Sequence, residues 1–82
     1  MSLQERVIVT FEAEHLSPKD RVRFFYALKG RGEKAGFVEE VGAEHVGPGV
    51  IIISPERREK AETFFQYWKC RVAMKPVRME DT

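Results

Sequence analysis

The alternation of apolar and polar positions along the chain predicts four β-strands. Apolar side chains recur at every second position of residues 6–13, as expected for a half-buried strand. Residues 50–53 are apolar throughout, which is typical of a central strand covered on both faces. Residues 37–46 form a weaker, acidic segment with an internal glycine, which indicates an edge strand. The last strand, residues 70–79, contains a proline and is also predicted to lie at an edge.

Two helices are predicted between these strands, and each begins at a Ser-Pro pair. Serine at 17 and at 54 suits an N-cap, and the proline that follows suits the first helical position. The first helix should cover residues 18–29 and stop at Gly30. The second should run to about Trp68. The expected core positions are Val22, Phe25 and Leu28, with Phe24 on the flank, and Ala61, Phe64, Phe65 and Trp68.

The resulting element order, β-α-β-β-α-β, resembles the ferredoxin-like arrangement. In that arrangement the first and third strands are central, and here those two strands are the most apolar. We therefore expect an α+β, two-layer sandwich: a mostly antiparallel four-stranded sheet with two helices on one face. Residues 1–82 should form a single domain, with residues 1–5 and 80–82 frayed.

Composition narrows the functional classes only slightly. The 82 residues include 14 Lys or Arg and 13 Asp or Glu, so the net charge of +1 does not favour an acidic partner. The absence of Asn and the many charged residues match the trend of thermophilic proteins. The longest apolar run, residues 50–53, is too short for a membrane, and we expect a cytoplasmic protein that does not contact membranes.

Residues suited to catalysis or metal binding are few. The tripeptide Ala-Glu-His occurs at 13–15 and 43–45, and His15 and His45 could bind a metal only if both loops met. Cys70 lies beside two cations that could lower the pKa of its thiol, although a small buried residue explains it more simply. We therefore predict neither enzymatic activity nor a metal or cofactor.

Placement of the cations suggests a phosphate ligand. Residues 29–34 form a glycine-containing loop with three cations, which could follow a nucleic-acid backbone. Further cations accompany the last strand. The third strand lacks the stacking aromatic residues of an RNA-recognition motif, so contacts should be mainly to phosphate. The predicted RNA-binding residues are Lys29, Arg31, Lys34, Lys69, Arg71, Lys75 and Arg78.

The favoured function is thus a small, non-enzymatic RNA-binding or ribosome-associated protein. The alternative is a homodimeric interaction or regulatory module. It follows from the apolar third strand, whose second face would lie on the uncovered side of a two-layer fold. The adjacent Phe pairs at 24–25 and 64–65 also favour an interaction surface, because one ring of each pair must lie at the rim.

Overall fold

A four-stranded antiparallel sheet with helices on one face forms an α+β fold in the computed structural model, which describes residues 3–80. The strand order is β4-β5-β1-β6, so that β1 and β5 are central. A separate two-stranded hairpin, β2-β3, follows the first helix. The elements are β1 (Leu3–Glu12), α1 (Pro18–Lys29), β2 (Gly30–Arg31), β3 (Lys34–Ala35), α2 (Phe37–Glu40), β4 (Glu44–Gly47), β5 (Val50–Ile53), a 3-10 turn (Pro55–Arg57), α3 (Arg58–Tyr67) and β6 (Arg71–Glu80).

The strand β1 pairs along its whole length with β6, from Leu3 opposite Glu80 to Glu12 opposite Arg71. Its other neighbour, β5, is much shorter and pairs only with residues 7–10. The β1–β6 ribbon therefore continues beyond the four-stranded region. Residues 3–5 and 80 are paired strand, and residues 1–2 and 81–82 lie outside the described part, so the fraying of residues 1–5 and 80–82 stays a prediction.

The core lies on one face of the sheet, between the strands and the helices. Alternate residues of β1 and β5 point into it, because side chains on a strand alternate between its two faces. The predicted alternation in the first strand is thereby confirmed. The buried apolar residues are Val7, Val9, Phe11, Phe24, Leu28, Phe37, Val41, Ile51, Ile53, Ala61, Phe65 and Cys70.

The first helix has the predicted bounds but only part of the predicted core face. Phe24 and Leu28 are buried, whereas Val22 is 51% exposed and Phe25 lies at the rim. Phe24 is fixed inward by an edge-to-face contact with Trp68, whose ring centroid is 5.6 Å away. In α3 the predicted residues do face the core: Ala61 and Phe65 are buried, and Phe64 and Trp68 pack partly buried against them.

The predicted strand at residues 37–46 is wrong over its first half, which forms the short helix α2. Phe37 and Val41 are both buried, and the Phe37 ring stacks on Phe64 at 4.3 Å. A strand would place Glu39 on the same face, between these two apolar side chains. A helical turn buries both and leaves Glu39 exposed, which accounts for the helix despite its length of four residues.

Candidate nucleic-acid interface

The cations are concentrated in the segment that contains α1 and the β2-β3 hairpin. Residues 18–35 include six Lys or Arg and two Asp or Glu, which gives this segment a formal net charge of +4. The whole chain carries only +1, so the remaining residues are net acidic. The molecule is therefore electrically two-sided, with its positive side on α1 and the hairpin.

The outward face of α1 combines this charge with exposed apolar and aromatic side chains. Phe24 and Leu28 face the core, so the opposite side of the helix faces solvent. Val22, Phe25 and Tyr26 lie there or at its border, with exposed fractions of 51%, 36% and 45%. The exposed cations Lys19 and Arg23 lie on the same outward side.

The hairpin adds two cations next to Lys29, the last residue of α1. Arg31 and Lys34 are direct partners across the two short strands. The Arg31 guanidinium lies 4.8 Å from the centroid of the Tyr26 ring, and the Lys29 ammonium lies 5.4 Å from that of Phe25. Both distances are within the range of a cation–π contact. The cations and the aromatic rings thus form one continuous surface.

Gly30 allows the chain to turn sharply at the end of α1. Its φ of 91° is in the region that favours glycine, and a Cβ atom there would lie 2.5 Å from the carbonyl oxygen of Lys34. The turn therefore holds the hairpin against the end of the helix.

The exposed cations, aromatic rings and valine of α1 and the hairpin form one patch, which we call the α1–hairpin surface. It consists of Lys19, Val22, Arg23, Phe25, Tyr26, Lys29, Arg31 and Lys34.

Carboxylates do not neutralise this surface. Within residues 3–80 the only ion pair joins Arg58 to Glu62 on α3, with a nitrogen–oxygen distance of 3.2 Å. The two acids of residues 18–35 are Asp20 in the first turn of α1 and Glu33 at the hairpin turn, and neither carboxylate forms an ion pair within residues 3–80. The five cations of the α1–hairpin surface are therefore available to an external anion.

The remaining predicted RNA-binding residues lie on β6 or immediately before it. Lys69 and Arg71 border a cleft at the end of β1, together with Glu12 and Glu14. Lys75 lies opposite Ile8 of β1 and Arg78 opposite Glu5, further along the β1–β6 ribbon. The structure thus brings together Lys29, Arg31 and Lys34 at the end of α1. Arg71 lines a pocket with Arg21 and Phe25 of α1, whereas Lys75 and Arg78 lie further along β6.

Lys69 has a backbone role that the sequence did not reveal. Its φ is 55°, and it is the one non-glycine residue with positive φ in the described part of the chain. The Lys69 amide donates to the carbonyl of Gln66, and the Cys70 amide to that of Phe65. This pair of hydrogen bonds is the Schellman motif that ends many helices. Lys69 therefore terminates α3 in a position that glycine usually occupies.

The histidines and the cysteine occupy separate environments. The His15 Nε2 atom lies 3.2 Å from the carbonyl oxygen of Trp68, whereas His45 is on β4, which β5 separates from β1. No group of three or more His, Cys, Asp or Glu in residues 3–80 is arranged to hold a metal ion. Cys70 is buried, and its burial raises the pKa of the thiol rather than lowering it.

Lys19, Arg23 and Tyr26 were not among the sequence-predicted site residues. Counting charge along residues 18–35 would have indicated Lys19 and Arg23, and a helical projection of α1 would have placed Tyr26 beside them. The projection requires the core side of α1 to be known, and that side had been assigned to Val22 and Phe25 in place of Phe24.

Comparison with protein-family models, curated proteins and solved structures found no match to this chain. The helices of residues 3–80 are all too short or too polar to cross a membrane.

Proposed function

We propose that this protein binds RNA without catalysing a reaction, as a ribonucleoprotein or ribosome-associated component of the cytoplasm, and that it does so through the α1–hairpin surface. The observation that carries the proposal is the contact of Arg31 and Lys29 with the exposed rings of Tyr26 and Phe25. Proteins that bind single-stranded nucleic acid combine cations, which follow the phosphates, with aromatic rings, on which bases stack.

The charge on this surface predicts how strongly binding should depend on salt. Each phosphate neutralised by a Lys or Arg releases condensed counterions. If all five cations of the α1–hairpin surface contact phosphates, the logarithm of the affinity should fall against the logarithm of the salt concentration with a slope of about −3.5 on single strands. Stacking on one of the two rings would contribute about 1–3 kcal/mol, and that contribution would not depend on salt.

The test is a fluorescence-anisotropy titration of labelled RNA, single-stranded and structured, at salt concentrations from about 50 to 200 mM. The variant Arg31→Ala/Lys34→Ala removes two exposed cations from the hairpin. We expect weaker binding at every salt concentration and a slope reduced by about 1.4 on single strands. Tyr26→Ala should weaken binding without changing the slope.

The matched control is Arg57→Ala/Lys60→Ala, which removes the same charge at the start of α3, outside the α1–hairpin surface. This control should bind RNA almost as the wild type does. Absence of binding at the lowest salt would refute the proposal. Equal losses in the two double variants would show that net charge, rather than this surface, determines binding.

We also propose that the fold is a ferredoxin-like βαββαβ sandwich in which the β2-β3 hairpin and α2 are an insertion before β4. The support is the strand order β4-β5-β1-β6 and the placement of α1 and α3 between successive strands. Nuclear Overhauser contacts between β1 and both β5 and β6 in solution test this arrangement. Pairing of β1 with β4 instead would contradict it.

A further inference from the structure

The face of the sheet opposite the helices has an apolar centre. The helices bury their side chains in a single core on the other face. Ile8 of β1 and the pair Val50 and Ile52 of β5 point to this second face and are only half-buried. We call this side of the sheet the open face. An antiparallel sheet with one solvated face normally places polar residues there, so the isoleucines are unusual.

One row of side chains crosses the open face from edge to edge. Glu44 is the partner of Ile52, Ile52 that of Ile8, and Ile8 that of Lys75. The row thus reads acid, isoleucine, isoleucine, cation across the four strands. Cross-strand partners lie side by side on the same face, so all four side chains project from it.

This row is complementary to itself when it is reversed. A two-fold axis that lies parallel to the strands, between β5 and β1, places a second copy face to face with the first. Ile52 of one copy then lies over Ile8 of the other, and Glu44 over Lys75. We propose that the open face binds a second copy of this chain in this arrangement, with two isoleucine contacts and two Glu44–Lys75 ion pairs.

The geometry of packed sheets permits these contacts. Face-to-face sheets lie about 10 Å apart, a gap that glutamate and lysine side chains can bridge together. Aligned packing keeps the strand directions within about 30°, so residues in one row stay near each other. Within one copy, three strand spacings separate Glu44 from Lys75, roughly 14 Å, and the two cannot pair there.

Pairing through the sheet edge is a less suitable alternative. Of the two edge strands, β6 contains Lys75, Pro76 and Arg78, and lysine and proline on an edge strand discourage the addition of another strand. The other edge strand, β4, has only four residues and offers little backbone for pairing. The open face is also small. Four strands are roughly 20 Å wide, and over residues 7–10 the face is roughly 14 Å long. The area of the open face is thus well below the ~800 Å² that each partner buries in a standard interface. We therefore expect reversible association at high protein concentration.

The test uses two single charge reversals and their mixture in sedimentation equilibrium. Glu44→Lys places lysine against Lys75 of the other copy, and Lys75→Glu places glutamate against Glu44. Each variant alone should raise the dimer dissociation constant about tenfold or more. An equimolar mixture should restore association, because both ion pairs of the mixed dimer then join opposite charges. The double variant Glu44→Lys/Lys75→Glu should also self-associate.

Glu44 and Lys75 are both exposed, so neither substitution should disturb the core. Circular dichroism checks that each variant is folded. A wild type that stays monomeric up to the solubility limit would overturn the proposal. So would self-association of the single variants equal to that of the wild type, or a mixture that fails to associate. If Lys75→Glu weakens RNA binding while the wild type remains monomeric, the open face binds RNA and the proposal is wrong.

Discussion

The two long helices start from the same dipeptide, and the chain enters them differently. At α1, the Ser17 hydroxyl accepts a hydrogen bond from the Asp20 amide at 3.3 Å, and the Ser17 carbonyl accepts one from the Arg21 amide at 2.8 Å. At the second Ser-Pro, the Ser54 carbonyl accepts from the Arg57 amide at 3.0 Å, and the Ser54 side chain makes no capping bond. The dipeptide therefore fixes where a helix begins but not whether its first turn is α or 3-10.

The helices also differ in what they expose. Both bury one phenylalanine of an adjacent pair, Phe24 in α1 and Phe65 in α3. The outward side of α1 belongs to the positively charged segment, whereas α3 carries the Arg58–Glu62 ion pair. We infer that α1 combines a packing role with a binding role, and that α3 is mainly structural. The following predictions test this difference, from the largest expected effect to the smallest.

Truncation of the inward phenylalanines should have the largest effect. Phe24→Ala and Phe65→Ala each remove a fully buried ring from the shared core, and each should lower the free energy of unfolding by about 3–5 kcal/mol. Phe25→Ala, at the rim of α1, should cost much less. Urea unfolding followed by circular dichroism measures the free energy of unfolding of the three variants. Phe24→Leu and Phe65→Leu are used instead if the alanine variants do not fold. Equal losses at Phe24 and Phe25 would contradict the observed core face.

Substitutions at the C-terminal ends of the two helices should change the stability of the protein in opposite directions. Gly30→Ala places a Cβ atom against backbone at the end of α1 and should destabilise the fold by about 2 kcal/mol or more. Lys69→Gly relieves a positive φ at the end of α3 and should stabilise it by about 1 kcal/mol. Thermal unfolding of both variants measures the two shifts. Gly32→Ala is a control, because its Cβ meets no atom within 4 Å although its φ is also positive.

The two Ser-Pro starts should differ in their sensitivity to alanine. Ser17→Ala removes a capping hydrogen bond and should cost about 1 kcal/mol. Ser54→Ala removes no such bond and should cost only a few tenths of a kcal/mol. Chemical denaturation of the two variants under the same conditions gives this comparison directly. Equal losses would show that the hydroxyl of Ser54 caps the second helix in solution.

A pH effect should arise at the end of α3 from the buried Cys70 thiol. Burial raises the pKa of this thiol above its ordinary value of 9.0, so below that value both the folded and the unfolded chain hold the proton. As the pH rises through 9.0, the unfolded chain loses its proton first, and the free energy of unfolding falls until the folded thiol also ionises. Urea unfolding on both sides of this pH should show a steeper loss in the wild type than in Cys70→Ala. Identical slopes would mean that the thiol is hydrated.

The elements that local pattern determines were predicted well. The bounds of α1 follow from Ser17, Pro18 and Gly30, and the apolar runs located β1 and β5. The helix α2 could not be predicted, because four residues carry little periodicity and only the burial of Phe37 and Val41 selects the helical turn. The hairpin was missed for a similar reason, since each of its strands has two residues.

The candidate site was predicted in part. Lys29, Arg31 and Lys34 are close in sequence and remain close in space. Arg71, Lys75 and Arg78 are also close in sequence, but they lie on a strand of ten residues, which spreads them along one edge of the molecule. Tyr26 was not assigned to the site, because the apolar spacing of α1 indicates a core side at Val22 and Phe25 rather than at Phe24.

The sequence by itself determined the start of α1, the helical turn that begins at Pro55, the alternation of β1 and the apolar character of β5, because caps, prolines and periodicity act within a few residues. Tertiary structure alone decided that Phe24 rather than Phe25 turns inward, since that choice depends on contacts with Phe65 and Trp68 from a distant helix. It also decided the row from Glu44 to Lys75 on the open face, because strand register joins residues that lie far apart in the chain.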